Sequence, residues 1–528
     1  MNTTDFLSIA TAICPDRDCV VFEGTRFTYA RIDERVNQLA HALDRLIRKG
    51  DRVGMFSVNC SQHVEAYFST AKLGGIYVPL NFRSKAGELE YMLDRADVRV
   101  LFAGSRYMDL VNSIAPRLPN LKKVVSVDGK EEGSYEEMIA GEPTDEIMAE
   151  IGDDDTTVLM FTSGTTGRPK AVPLRHDSFV VYVLDNVEPA NPDLQEKNIL
   201  SVPLYHVAGV QAMLPAIYGG RTLIMMRQFE LKEWMETVQK EKATRAMLVP
   251  TMLKRIVDSP DFDAYDLSSL RVITYGAAPM PFEVIKKAIE RMPDVQFING
   301  YGQTESASTL TTLGPEDHRI TGTEEEKQKK WRRLKSSIGR PLPDVTISIV
   351  DEEGKPLGPN IPGVILAKSP RIMKGYWDDE QKTAHAMTPD GWLRTGDVGY
   401  VDEEGYVYLT GRVDDLIIRG GENIAPAEIE QVINAHPKIA ECAVVGVPDA
   451  EFGQQPFAYC VLKEGENCTS EEVLEFCGER LASFKKPKGI VFLEELPKSP
   501  MGKVLKKKLR EAYEQAGAGP WTAVGGDS

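Results

Sequence analysis

An apolar run, Val158-Leu159-Met160-Phe161, opens directly onto Thr162-Ser163-Gly164-Thr165-Thr166-Gly167-Arg168-Pro169-Lys170. This junction constrains the chain most. A buried strand must end there, and a loop of small, polar residues must begin. The loop suits an anion. Glycines let backbone N–H groups approach closely, hydroxyls add donors, and Lys170 adds a positive charge. It is not the G-x-x-x-x-G-K-[ST] phosphate loop that opens a helix. Arg168-Pro169 follows Gly167, and proline has no N–H to give. Taken alone, the stretch reads equally as a polar surface turn.

The flanking chain alternates helix and strand. Val36, Leu39, Ala40, Leu43, Leu46 and Ile47 mark one helical face, with Gly50 as its stop. A strand is expected over 53–58, a helix over 64–73 and a strand over 98–102. Further on, the strand 270–275 runs into Gly276-Ala277-Ala278-Pro279, and Pro281 opens a helix bearing Val284, Ile285, Ala288 and Ile289. This order predicts an α/β fold with parallel sheets. Asp153-Asp154-Asp155 reads as a solvated turn rather than a metal site, because consecutive carboxylates do not converge on one point. The charged stretch 321–336 reads as an exposed loop or helix.

From Ile338 the texture changes to short alternating runs broken by turns. Asp351-Glu352-Glu353-Gly354 and Asp402-Glu403-Glu404-Gly405 are identical turns. A small β-barrel-like region is expected over 338–411. The last hundred residues or so read as a small α+β domain. It has a helix from Pro426 with Ile429, Val432 and Ile433 inward, a strand over 442–447, and a capping box at Thr469 and Glu472. Residues 513–528 are expected to be a flexible tail.

Composition narrows the function. With 528 residues the chain exceeds one small core. A net charge of −17 argues against nucleic acid as a partner. Seven cysteines, an odd number without C-x-x-C, indicate neither a disulfide framework nor zinc, so a cytoplasmic location is expected. The N-terminus lacks a basic segment followed by an apolar one, and no run reaches the length of a membrane helix.

Four further segments follow the glycine-rich loop. They are Tyr301-Gly302-Gln303-Thr304-Glu305, Gly391-Trp392-Leu393-Arg394-Thr395-Gly396-Asp397, Gly411-Arg412-Val413-Asp414-Asp415 and Pro500-Met501-Gly502-Lys503. Together, in this order, they resemble the core motifs of the adenylate-forming superfamily, over nearly the whole chain. Acyl-CoA synthetases belong to that superfamily. The resemblance implies ATP, Mg²⁺ and coenzyme A as reaction components. It implies an N-terminal adenylation domain over 1–413 and a mobile C-terminal domain over 414–512.

Site roles follow from the same resemblance. Thr162, Ser163, Gly164, Thr165, Thr166, Gly167 and Lys170 would hold phosphates. Thr304 would bond the α-phosphate and Glu305 would ligate magnesium. Tyr301 would lie against adenine beside Gly276, Ala277, Ala278 and Pro279. Asp397, with Arg412 nearby, would take the ribose hydroxyls. Lys503 would bridge carboxylate and α-phosphate, and His206 would border the carboxylate. Val207, Gly209, Val210, Met280 and Gly300 would line the acyl pocket. Asp414 would be the hinge, and Gly420 and Gly421 would flank the pantetheine path.

These stretches hold no charged partner for an amine, so an amino acid substrate is disfavoured. The acid expected is an apolar monocarboxylate, a medium- or long-chain fatty acid, with cyclic or aromatic acids as the alternative. Transfer to a carrier-protein thiol is a second alternative. A nucleotide-binding regulator without turnover is a third, disfavoured by the joint presence of Lys170, Glu305, Asp397 and Lys503. A homodimer is compatible with the sequence.

Overall fold

The helix expected from Val36, Leu39, Ala40 and Leu43 spans Tyr29–Asp44 and buries all four. Thr28 caps it by accepting a hydrogen bond from the Arg31 amide. Gly50 follows with a left-handed φ of 82°. The computed structural model describes residues 1–129, 133–162, 168–420, 422–498 and 504–516. The chain divides into two compact units, one of Met1–Thr346 with Ala367–Leu393, the other of Ile347–Leu366 with the residues from Arg394 onward. The residues from Arg394 to Val413 thus belong to the same unit as the C-terminal segment.

The first unit is α/β. In one sheet the strands Lys123–Ser126, Val98–Ala103, Arg52–Phe56, Ile76–Pro79 and Thr156–Thr162 lie side by side and parallel. Lys170–Arg175 closes its edge antiparallel to Thr156–Thr162. A second sheet runs Gln296–Gln303, Val272–Gly276, Arg245–Leu248, Lys197–Leu200, Thr222–Met225 and Asp18–Phe22, all parallel. Antiparallel Thr25–Thr28 flanks one side of this run, and Ser308–Leu313 with Ser337–Pro341 the other. Loops leaving the carboxyl ends of parallel strands are where α/β sheets bind ligands. The segments after Gly276 and Gln303 sit at such ends.

The uncertain polar stretches resolve simply. Asp155 accepts the Gly152 amide at 2.8 Å and pairs with Lys49, so the triple aspartate is a turn. The stretch 321–336 contains a helix, Glu324–Ser336, started by a reciprocal Thr323–Glu326 capping box.

In the second unit the strands Gly363–Lys368, Leu393–Val401 and Val407–Arg412 are neighbours in that order. The two identical turns fold identically. Asp351 Oδ1 accepts the amides of Glu353 and Lys355, and Asp402 Oδ1 accepts those of Glu404 and Tyr406. Gly354 and Gly405 both have φ of 81°, which a glycine adopts without strain. The C-terminal sheet orders Glu422–Ile424, Ile417–Arg419, Gly453–Leu462 and Ile439–Asp449, with Ile490–Phe492 parallel to Gly453–Leu462. Helix Pro426–Asn434 buries Ile429 and Ile433, while Val432 is only partly buried. All seven cysteines are free. Among the described residues no helix is long and apolar enough to cross a membrane.

Candidate active site

The hairpin of Thr156–Thr162 and Lys170–Arg175 puts Thr162 directly opposite Lys170. One strand pair therefore holds the two residues that flank the glycine-rich segment in register. Ser163, Gly164, Thr165, Thr166 and Gly167 lie outside the described residues. Lys170 Nζ stands 5.0 Å from the ring centre of Tyr376, a cation–π distance. The Tyr376 hydroxyl donates to Glu305 Oε1 at 2.7 Å. One tyrosine thus joins the loop lysine to the expected metal ligand.

Local structure holds Glu305 in place. It sits in the single turn Thr304–Ser306 at the end of Gln296–Gln303. Ser306 Oγ accepts the Gln303 amide at 3.2 Å and donates to the Gln303 carbonyl at 2.9 Å. Arg371, fully buried, donates to Asp344 at 2.7 and 3.1 Å and reaches the Ser306 carbonyl at 3.4 Å. Burial alone would raise the Asp344 carboxyl. The hydrogen bonds from Arg371 and Ser369 outweigh that and hold it below the ordinary carboxylate range. The Met373 amide donates to the Glu305 carbonyl at 2.8 Å, and the Trp377 amide to the Ala171 carbonyl at 2.9 Å. The segment from Arg371 to Trp377 therefore spans from the Glu305 turn to the hairpin of Thr156–Thr162 and Lys170–Arg175. Sequence inspection missed Tyr376. Its one signal is the aromatic pair in Lys374-Gly375-Tyr376-Trp377, which carries no titratable acid or base near neutral pH.

Gly276 and Gly300 face each other across the parallel strands. A Cβ on Gly276 would collide with the Gly300 carbonyl oxygen, so only glycine fits there. Ala277 follows with φ of 66°, a left-handed conformation unusual for alanine. Ala277 and Pro279 are exposed, and Ala278, Met280, Gly300 and Tyr301 are intermediate in burial.

His206 is the N-cap residue of the helix Val207–Tyr218. Its Nε2 is buried without a hydrogen-bond partner. Burial, with a smaller contribution from Arg83, pulls its pKa down to about 4, so the imidazole is neutral at pH 7. Its ring lies 4.4 Å from that of Tyr205, whose hydroxyl accepts from Arg83 Nη1 at 3.1 Å. Val207 is partly buried and Val210 fully buried. A Cβ on Gly209 would strike the Pro203 carbonyl, so the small residue serves contact with the preceding loop.

In the second unit Asp397 and Arg412 are directly paired strand residues. Arg412 Nη1 donates to Asp397 Oδ1 at 2.8 Å, and the Thr395 hydroxyl accepts the Asp397 amide at 3.1 Å. Asp414 lies exposed in the turn Val413–Asp415. Its carbonyl accepts from Arg510 Nη1 at 3.3 Å, while Arg510 Nη2 reaches Asp415. Gly420 takes φ of 59°. Gly421 and Lys503 lie outside the described residues.

Glu305 and Lys170 thus meet through Tyr376, at the end of Gln296–Gln303 and at the start of Lys170–Arg175. The chain matches the model of the AMP-binding enzyme family over residues 9–377 and that of the AMP-binding enzyme C-terminal domain over 428–503. It belongs to this family, the adenylate-forming enzymes, and is an AMP-forming ligase. It is similar to the putative acyl-CoA synthetase YngI of Bacillus subtilis, at 36% identity over 94% of each chain. It is 33% identical to the mouse mitochondrial medium-chain acyl-CoA ligase ACSF2, over 98% of this chain and 88% of that protein. ATP-bound MatB from Rhodopseudomonas palustris superimposes with a TM-score of 0.88 at 30% identity, covering 98% of this chain and all of that one.

Proposed function

We propose that this enzyme is a carboxylate–CoA ligase acting on an apolar monocarboxylic acid, a medium- or long-chain fatty acid first and a cyclic or aromatic acid second. The acid's carboxylate attacks the α-phosphorus of ATP, forming an acyl-adenylate and releasing pyrophosphate. The thiol of coenzyme A then attacks the acyl carbon, loses its proton and displaces AMP. The observation that carries this reading is the cluster of Lys170, Tyr376 and Glu305 at one end of the hairpin.

The first step brings two anions together, so the site must supply positive charge and fixed donors. Lys170 and the loop hydroxyls are assigned to the β- and γ-phosphates and Thr304 to the α-phosphate. Glu305 fits a magnesium ion, because a carboxylate oxygen joined by phosphate oxygens is the usual way this hard ion is held. When bound, magnesium neutralises phosphate charge. Tyr301 and the 276–279 segment are assigned to adenine. Asp397, already oriented by Arg412, is assigned to the ribose hydroxyls. Neutral His206 is assigned to the acid's carboxylate, where its unpaired Nε2 can donate or accept. Lys503 is assigned to the carboxylate and α-phosphate oxygens, and Asp414 to the pivot between the domains 1–413 and 414–512. Gly420 and Gly421 are assigned to the pantetheine path.

Seven free thiols suit a reducing compartment, and the cytoplasm is the location proposed. The test of function measures pyrophosphate release over a panel of acids, with coenzyme A and a carrier protein as acceptors. Acyl-CoA formation from apolar acids is expected. Exclusive loading of the carrier protein would replace the reading with its alternative.

A further inference from the structure

Arg95 ends the helix Ala86–Arg95, and its Nη2 donates to the Trp377 carbonyl at 2.7 Å and to the Asp378 carbonyl beside it. Asp378 takes φ of 46°, the left-handed region that residues other than glycine seldom enter. Such a turn persists only where neighbouring groups hold it. Arg95 takes two of its carbonyls. The Trp377 amide goes to Ala171, and the Tyr376 amide to the Thr383 hydroxyl at 2.9 Å. The helix is a firm base for this grip. Leu89, Met92 and Leu93 are buried in the core, and Trp377 packs against the same cluster. Tyr91 lies four residues before Arg95 and so on the same helix face. The Arg168 guanidinium stands 5.2 Å from its ring centre, and its hydroxyl donates to the Pro169 carbonyl at 3.4 Å. One helix face thus touches both the residues that lead into Lys170 and the turn that follows Tyr376.

We propose that Arg95 is a positioning residue for magnesium-bound ATP, acting through Tyr376. This rests on the reading of Glu305 as the magnesium ligand and Lys170 as the phosphate lysine. Tyr376 immediately precedes the two residues whose carbonyls Arg95 holds. Its hydroxyl bonds Glu305 and its ring faces Lys170, so a shift of the turn moves both contacts together. Without Arg95 the two carbonyls lose a charged donor, and the left-handed residue loses one of its restraints. The ring then samples more than one position, and binding ATP must fix it again, which weakens affinity. Both bonds come from one nitrogen. A lysine ammonium, a single charged donor point, can therefore replace the grip where a methionine cannot.

The test compares the full-length wild type with Arg95→Met, Arg95→Lys, Tyr376→Leu and the double variant of Arg95→Met and Tyr376→Leu. Calorimetry in saturating magnesium gives the Kd for ATP. Pyrophosphate release with the best acid of the panel gives kcat and the KM for ATP. Arg95→Met should raise the Kd about tenfold, the loss expected for a hydrogen bond made by a charged donor, and should raise KM more than it lowers kcat. Arg95→Lys should stay within about threefold of wild type. In the Tyr376→Leu background, Arg95→Met should add less than about twofold, because residues acting through one contact are not additive. Kd and KM describe the folded molecules, so a lower melting point does not mask the result. A Kd unchanged in Arg95→Met, equal losses in Arg95→Met and Arg95→Lys, or effects that multiply in the double variant would each overturn the inference. If the wild type binds ATP yet turns over no acid, the ligase reading fails while the Kd still decides this inference. A wild type that binds no ATP would sink both.

Discussion

The hydroxyl of Tyr376 donates to Glu305 Oε1 at 2.7 Å, across 71 residues of chain. The same ring lies 5.0 Å from Lys170 Nζ. Tyr376 therefore sets the orientation of the carboxylate assigned to magnesium and the position of the lysine assigned to phosphate. Tyr376→Phe keeps the ring and removes the donor. We expect kcat/KM for ATP to fall about tenfold, since a hydrogen bond to a charged group contributes roughly 1.5–3 kcal/mol. The magnesium concentration giving half-maximal rate should rise. A magnesium titration identical to wild type would show that the hydroxyl does not orient Glu305.

Glu305→Gln should leave the fold intact, because the amide oxygen can still accept from Tyr376. Turnover should fall by orders of magnitude, since the charge that would hold the metal is gone. Thermal melting beside a pyrophosphate assay checks both. A melting point that drops with the activity would place Glu305 in a structural role.

The buried pair of Arg371 and Asp344 pins the Glu305 turn through the Ser306 carbonyl. Arg371→Met alone leaves the Asp344 charge buried, and should cost about 3–5 kcal/mol in urea denaturation. Adding Asp344→Leu should recover much of that loss, because the uncompensated charge disappears. A single variant as stable as wild type would mean that the pair contributes nothing to the fold.

Four histidines, His63, His176, His206 and His318, each have a pKa lowered to about 4, in every case chiefly by burial. In the unfolded chain a histidine titrates near 6.5. Between these values the unfolded state binds more protons, so stability rises with pH there. It is fully present above about pH 6.5 and is lost as pH falls toward 4. Four such groups give a slope of up to about 5 kcal/mol per pH unit at the steepest point. Urea midpoints measured from pH 7 to 5 should fall steeply. A flat profile over that range would show that these imidazoles can charge in the folded protein.

Asp414→Pro and Lys503→Ala separate the two half-reactions. Proline fixes φ near −65° in the turn that Arg510 holds. It should slow thioester formation while pyrophosphate release continues. Lys503→Ala should do the reverse, abolishing adenylation yet sparing thioester formation from supplied acyl-adenylate. Parallel loss of both half-reactions in either variant would sink the pivot and lysine assignments.

Much of the fold was legible because its signals are local. The face of Tyr29–Asp44 follows from 3.6-residue spacing, and the paired Asp-Glu-Glu-Gly turns from a side chain that accepts amides two and four residues on. Capping at Thr323 and Thr469 belongs to the same kind, although only the second was read as a cap. Val432 was less legible, because inward spacing cannot say how much neighbouring structure will cover a residue. The need for a glycine at 209 was not legible either, because the Pro203 carbonyl that a Cβ would strike approaches only in the fold.

By itself the sequence determined the α/β alternation, the loop composition that suits phosphate, and the order of motifs that marks an adenylate-forming enzyme. These depend on neighbours within a few residues, or on the linear order of the chain. Tertiary structure alone decided that Tyr376 meets both Glu305 and Lys170, and that Arg371 anchors the Glu305 turn. It also decided that His206 is neutral and that Gln211 is buried without a partner. Those properties arise from burial and from contacts between distant segments. Desolvation and long-range pairing exist only once the sheets and helices have packed.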